Sequence, residues 1–195
     1  MTNFTELEIR FAVFFPIYVV EGSFLLVSNL LIGIVILLNK RLHRKEYCLL
    51  FALAIADGLS GAALLASGIY RLHLTYQREL FNPIPQWDCA LKPHRFFFTL
   101  FEFAVPTILL LISLDRCVAC TSVILYSKLT AGLLIIICCV VFAIGFLLVV
   151  IGPATVFRSQ KPVPAVCGAD HGLHPIFVKI SRFYAMTASV SSIVI

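Results

Sequence analysis

Charged residues are scarce in this sequence of 195 residues. They make up 13% of it, against roughly 25% in a typical soluble domain, whereas 61% is hydrophobic and the mean hydropathy is +1.01. So little charge excludes water-soluble enzymes and disordered tails. The net charge of +5 is small and scattered, so nothing predicts a face that binds nucleic acid. The composition is that of an integral membrane protein.

Clusters of catalytic or metal-binding residues are also missing. The histidines are dispersed along the loops, and a single histidine there is more often solvated than catalytic. Cys117 and Cys120 have a spacing that is found in zinc and redox sites, but no further ligands accompany them. The sequence therefore predicts no enzyme, no bound metal and no cofactor.

Long apolar runs dominate what is present. Each holds about 20 residues or more, the length that a helix needs to cross a hydrocarbon layer of about 30 Å. A segment that faces lipid must also be helical to satisfy its own backbone hydrogen bonds. The sequence predicts an all-α membrane protein with a single transmembrane domain of five helices, at about residues 11–38, 48–70, 96–120, 129–153 and 176–195.

The connections between these spans alternate between short (39–47 and 121–128) and long (71–95 and 154–175), so the short ones share one side of the membrane. The first short connection is crowded with basic residues, namely Lys40, Arg41, Arg44 and Lys45. This predicts a cytoplasmic first loop and an extracellular N-terminus, in the plasma membrane. The basic residues in the first long connection argue against this orientation. A pattern for N-linked glycosylation at Asn3 agrees with it.

The cysteines separate by compartment. Cys89 and Cys167 lie one in each long connection, whereas the others lie in the predicted helices or near the short connections. Only these two share an oxidising compartment, so the compartment rule predicts a disulfide between them. Two free thiols are the alternative.

Polar side chains interrupt the apolar spans. A carboxylate at the bilayer centre costs upwards of about 2.5 kcal/mol, and such groups are rarely retained without a task. The spans hold four notable polar side chains, the carboxylates Glu21, Asp57 and Glu102 and the amide Asn29, and we expect all four to face the bundle interior. Asn29 and Asp57 either serve the function directly or bond to each other as structural glue between two helices. The sequence leaves both interpretations open.

Several motifs, in order along nearly the whole chain, resemble the rhodopsin-like G protein-coupled receptors, and most of all the nematode serpentine chemoreceptors of the Srsx type. Asn29 is placed like the asparagine of helix 1 in that family, and the run from Leu53 to Asp57 resembles its Leu-Ala-x-x-Asp of helix 2. Cys89 and Cys167 resemble its disulfide. The run Asp115-Arg116-Cys117 resembles its Asp-Arg-Tyr element, with Tyr126 placed like the tyrosine of the following loop.

The resemblance implies a chemosensory receptor that binds an extracellular small molecule and activates a heterotrimeric G protein. Arg116 would be the switch, held by Asp115 at rest, and the basic first loop would contact the G protein or membrane lipid. Four side chains are expected at the ligand pocket, namely Phe98, Glu102, Phe183 and Tyr184. A plainer interpretation is that the three aromatic residues among them only pack against neighbouring side chains. An unpaired Glu102 would favour a basic ligand.

The sequence stops at Ile195 within the fifth apolar run, so helices 6 and 7 of the resembled family are expected to be absent. One alternative is therefore a truncated receptor fragment that does not signal. A small transporter is a weaker alternative, because five unequal spans show no paired repeats. Nothing in the sequence predicts the identity of the ligand, the class of G protein or the oligomeric state.

Overall fold

A computed structural model describes residues 6–42, 45–128, 130–168 and 173–194. The chain is almost entirely helical over these residues. Its elements are, in order, α1 (Glu6–Leu38), a short 3-10 helix (Lys40–Leu42), α2 (Lys45–Gln77), β1 (Pro83–Pro85), α3 (Gln86–Ala90), α4 (Pro93–Thr121), α5 (Val123–Lys128), α6 (Ala131–Ala154), β2 (Pro162–Pro164) and α7 (Pro175–Val194).

Within the described residues, four helices are long and apolar enough to cross a membrane, namely α1, α2, α4 and α6. The all-α membrane fold that the sequence predicts is confirmed. Helix α7 corresponds to the fifth predicted span, but Lys179 and Arg182 in its first half lower its apolar character. Its place as a membrane span stays a prediction.

The main core lies where α2, α4 and α6 meet. Each helix contributes residues spaced three or four apart, which share one helix face. The buried members are Leu49, Ala52 and Ala56 from α2, Phe101, Ala104 and Ile108 from α4, and Leu134, Cys138 and Val141 from α6. The opposite face of α6 is also apolar yet exposed, for example at Ile136 and Val140. Such a face suits lipid, which is as apolar as the side chains themselves.

Helices α1 and α2 pack through a glycine seam formed by Gly22, Gly61 and Gly68. A Cβ atom placed on Gly61 would lie 2.7 Å from the main-chain nitrogen of Leu26 and 2.9 Å from the carbonyl oxygen of Gly22. Such distances leave no room for a side chain, so only glycine permits this close approach of the two backbones. Small residues at helix interfaces are typical of membrane proteins.

The two long connections fold over one end of the bundle and form a lid, residues 80–92 and 155–168. In the lid β1 pairs antiparallel with β2, and Ile84 lies opposite Val163. The hairpin is continued by two main-chain bonds, from Ala165 N–H to the Asn82 oxygen and from Val166 N–H to the Leu80 oxygen, both 3.0 Å. We call this the lid end, and the opposite end, where α4 passes into α5, the short-loop end.

Candidate functional site

A disulfide holds the lid together. It joins Cys89 of α3 to Cys167, which follows β2, with the two Cα atoms 5.5 Å apart. Both cysteines are fully buried, and they pack with Val163 and Ile84 of the paired strands. The disulfide predicted from the cysteine layout is therefore present.

Arg71 attaches the lid to the helices beneath it. Its Nε–H donates to the carbonyl oxygen of Val166 at 3.2 Å and its Nη2–H to that of Cys167 at 3.5 Å. The guanidinium also lies 5.8 Å from the ring centroids of both Phe15 and Tyr18 on α1. This single side chain therefore connects α1, α2 and the lid.

A cleft of about 1050 Å³ opens beneath the lid, between α1, α2, α4 and α7. Ligand pockets usually measure about 300–1000 Å³ and combine apolar walls with a few polar groups. This cleft matches that description, because aromatic side chains line it together with five charged ones, Glu21, Asp57, Arg71, Arg95 and Glu102. It is a candidate binding site for a small molecule.

The structure brings two of the four predicted pocket residues to the cleft. Phe98 and Glu102 line it from α4. Helix α7 contributes Ala185 and Ser189 instead of the predicted aromatic residues. The reason is helix geometry, because positions 185 and 189 share one face and Phe183 points to another, where it is 67% exposed.

Tyr184 fastens α7 to α4 outside the lining of the cleft. Its hydroxyl hydrogen-bonds to that of Thr107 at 2.6 Å, and its ring stacks on Phe103 with the centroids 5.0 Å apart. Nearer the short-loop end, the Ser113 hydroxyl donates to the carbonyl oxygen of Ser192 at 2.8 Å. These contacts hold α7 along α4 and so keep one wall of the cleft in place.

Glu102 has charged and polar neighbours within the protein. Arg182 and Arg95 both lie close enough to attract its carboxylate, and the Ser181 side chain lies beside it. A basic ligand was expected if Glu102 were unpaired, and these neighbours remove that condition.

Asn29 and Asp57 face different spaces. Asp57 lines the cleft, whereas Asn29 lines a separate apolar groove of about 280 Å³ between α1 and α2. The Asn29 amide donates to the carbonyl oxygen of Leu25 on its own helix at 2.9 Å. This arrangement favours separate roles for the two residues over a direct bond between them.

The three residues of the predicted switch lie at the short-loop end. Asp115 is buried and Arg116 is exposed, so these neighbours point in different directions from the end of α4. Tyr126 is half-buried on α5, and its main-chain N–H donates to the Ser122 oxygen at 2.9 Å. The short-loop end of α4 therefore presents an exposed cation, Arg116, next to a buried acid, Asp115.

Two further sequence predictions, the glycosylation site and the absence of a bound metal, stay predictions. Asn3, the predicted glycosylation site, lies outside the described residues. In the ranges that the structure describes, no group of three or more His, Cys, Asp or Glu side chains is placed to hold a metal ion.

Sequence reasoning missed Arg71 and Arg95 as residues of the cleft, because hydropathy placed both in the first long connection. Helix α2 continues to Gln77 since no glycine or proline occurs between Arg71 and Asn82. Arg95 stands three residues before Phe98 and seven before Glu102, a spacing that puts all three on one helix face. The signal for Arg95 was helix periodicity, extended toward the N-terminus beyond Phe96, where the apolar run begins.

Comparisons with known proteins assign the chain to a family. No curated protein matches it. The family described as "7 transmembrane receptor (rhodopsin family)" matches residues 28–195, which is most of the chain and includes α2, α4, α6, α7 and the lid. The chain belongs to the rhodopsin family of seven-transmembrane receptors.

Proposed function

We propose that this chain binds a small molecule in the cleft from the extracellular side and passes the signal to a heterotrimeric G protein at the short-loop end. The observation that carries the proposal is the cleft itself, about 1050 Å³ beneath a disulfide-tied lid. Rhodopsin-family receptors generally couple to G proteins, which supports a G protein as the partner at the short-loop end.

The proposed orientation puts the N-terminus and the lid outside the cell, in the plasma membrane. A disulfide persists in an oxidising compartment, which supports an extracellular lid. The exposed basic residues Lys40 and Arg41 lie in the turn after α1 at the opposite end. Positive charge near a span favours the cytoplasm, so both features agree with this orientation.

We further propose that Arg116 is the contact through which the G protein reads the state of the bundle. This proposal is supported by the exposure of Arg116 and by the burial of the neighbouring Asp115. A ligand that binds one packing of the helices better than another shifts the population between them, and an exposed cation at the far end is positioned to report that shift. The chemosensory role rests on the motif resemblance.

The test is ligand-dependent nucleotide exchange on co-expressed G proteins across a panel of odorants. It is run with the chain alone and with separately expressed helices 6 and 7 of a rhodopsin-family receptor, because the family has seven spans. We expect exchange in at least one arm, loss of it in Arg116→Ala, and retention in Arg158→Ala, which changes an exposed cation of the lid. The absence of exchange in both arms, with the chain shown to be in the membrane, would contradict the proposal.

A further inference from the structure

Helices α1 and α2 separate toward the short-loop end. At the glycine seam, a Cβ atom placed on Gly22 would lie 2.5 Å from the main-chain nitrogen of Leu65. Further along the same two helices, the described atom nearest to such a Cβ is 3.5 Å away at Gly58 and 3.8 Å away at Gly33. These are ordinary van der Waals distances, so a close approach of the backbones does not account for these two glycines.

The space between the separated helices is the apolar groove of about 280 Å³ that Asn29 lines. Along α1 the groove extends from Leu26 to Leu37, which is about 16 Å, or about half the thickness of a hydrocarbon layer. Among the described residues that line it, Asn29 alone is polar. The apolar lining opens outward, because several of its side chains are exposed, namely Leu30, Ile34, Leu37, Ile55 and Leu59. The groove therefore faces lipid and runs along the depth of one leaflet.

Positive charge stands at the short-loop end of this groove. Lys40 and Arg41 are exposed in the turn that begins two residues after the end of α1. This turn is ordered by Asn39, whose side-chain oxygen accepts from the Arg41 N–H at 3.1 Å and whose carbonyl oxygen accepts from the Leu42 N–H at 2.8 Å. The whole connection, residues 39–46, has four basic residues and one acidic residue, so positive charge predominates there.

An apolar groove with cations at its interfacial end matches the chemistry of an anionic phospholipid. The acyl chain of such a lipid is apolar, and its phosphate stands at the membrane surface, where basic residues attract it. A neutral lipid would fill the groove but offer Lys40 and Arg41 no net negative charge. We propose that an anionic phospholipid of the cytoplasmic leaflet binds here, with one acyl chain in the groove and its phosphate at Lys40 and Arg41. The site is separate from the cleft, and it rests on the proposed function only for the orientation that makes this leaflet cytoplasmic.

Photolabelling of the full chain in phosphatidylcholine nanodiscs tests this without a G protein. Two probes are compared at trace amounts, phosphatidylserine and phosphatidylcholine, each with a diazirine on one acyl chain. We expect the phosphatidylserine probe to label peptides from residues 26–37 and 51–59 about tenfold more than the other probe does. Unlabelled phosphatidylserine in the bilayer should compete, whereas glycerophosphoserine, which has the phosphate but no acyl chain, should not. Both leaflets of the nanodisc have the same composition, so the result does not depend on orientation.

The variants separate the groove from the charge. Gly33→Leu fills the groove from a position where an added Cβ has room, so it should lower the labelling about tenfold without forcing the helices apart. Gly132→Leu, which adds the same side chain outside the groove, should not change the labelling. The double variant Lys40→Gln with Arg41→Gln should lose the preference for phosphatidylserine. Lys40→Arg with Arg41→Lys, which keeps both charges, and Arg158→Gln in the lid should retain it.

Several outcomes would overturn the proposal. They are equal labelling by the two probes, label spread alike over the exposed faces of α1 and α6, competition by glycerophosphoserine, and unchanged labelling in Gly33→Leu. If Gly33→Leu changed the oligomeric state of the chain and not the labelling, the groove would be a contact between copies, which also contradicts the proposal. Selective labelling of the groove without nucleotide exchange would instead count against signalling alone.

Discussion

The two sides of α2 differ in how closely they are packed. Toward α1, the glycine seam brings two backbones so near that a single added Cβ would collide with main-chain atoms. Toward α4 and α7, the same helix presents Asp57, Ser60 and Leu64 to a wide cleft. The difference teaches that α1 and α2 form a fixed wall, whereas the space across from them can accept a ligand at little cost to the fold.

The largest effect on this arrangement is expected from the disulfide that ties the lid over the cleft. Cys89→Ser removes a link between positions 78 residues apart, and a loop of that length corresponds to about 4 kcal/mol in the chain-entropy view. The measurement is thermal unfolding in detergent, with Cys139→Ser, an exposed free thiol, as the control. An unchanged melting temperature in Cys89→Ser would show that the lid is held by its other contacts.

The next largest effect concerns the glycine seam. Gly61→Val forces atoms against the main chain of α1 and should cost about 3 kcal/mol, the upper range for overpacking a close contact. The control is Gly132→Val at the start of α6, where the nearest atom to an added Cβ among the described residues is Thr130 Oγ1, at 4.0 Å. Equal yields of folded protein from the two variants would break the contrast between seam and cleft.

A smaller effect is expected from the attachment of α7. Tyr184→Phe keeps the stacked ring but removes the bond to Thr107, which retains its own bond to the Phe103 oxygen at 2.6 Å. The expected loss is about 1 kcal/mol, the net value of one hydrogen bond. Denaturant titration measures it, with exposed Phe183→Leu as the comparison. A loss of similar size in both variants would show that the hydrogen bond contributes nothing specific.

The smallest effect should come from the cleft wall itself. Leu64→Ala shortens a half-buried side chain beside space that is already open, so it creates no new enclosed cavity and should cost less than about 1 kcal/mol. Leu49→Ala, in the core between α2, α4 and α6, should cost about 3 kcal/mol. Equal losses, measured by thermal unfolding, would mean that the cleft is as closely packed as the core.

Hydropathy predicts the all-α membrane fold because lipid as a solvent requires long apolar helices. It ends α2 at Tyr70, however, because hydropathy measures preference for lipid and says nothing of a helix that continues past the apolar run to Gln77, before the lid begins. The disulfide was predictable because Cys89 and Cys167 lie in the two long connections and so share an oxidising compartment. The side on which Phe183 and Tyr184 lie was not, because neighbouring positions of a helix point in different directions and the sequence does not say which face of α7 meets α4.

The glycine seam shows a further limit of sequence reasoning. Gly61 and Gly68 stand on one face of α2, but which neighbour that face meets depends on the packing of the whole bundle. The same holds for Arg71, whose position near the end of an apolar run is visible in the sequence while its contacts with Val166 and Cys167 are not. Contacts between distant segments are what the structure adds.

The measurement that most directly tests the central claim fills the cleft and compares the result with the same substitution on the outside of the bundle. Val105→Trp places a large ring in the cleft, and Val140→Trp places the same ring on the exposed apolar face of α6. Ligand-dependent nucleotide exchange is measured for both at equal amounts in the membrane, with helices 6 and 7 supplied as above. We predict that Val140→Trp responds like the unmodified chain and that Val105→Trp does not respond. A full response from Val105→Trp would contradict the account, because the ligand would then bind somewhere other than the cleft.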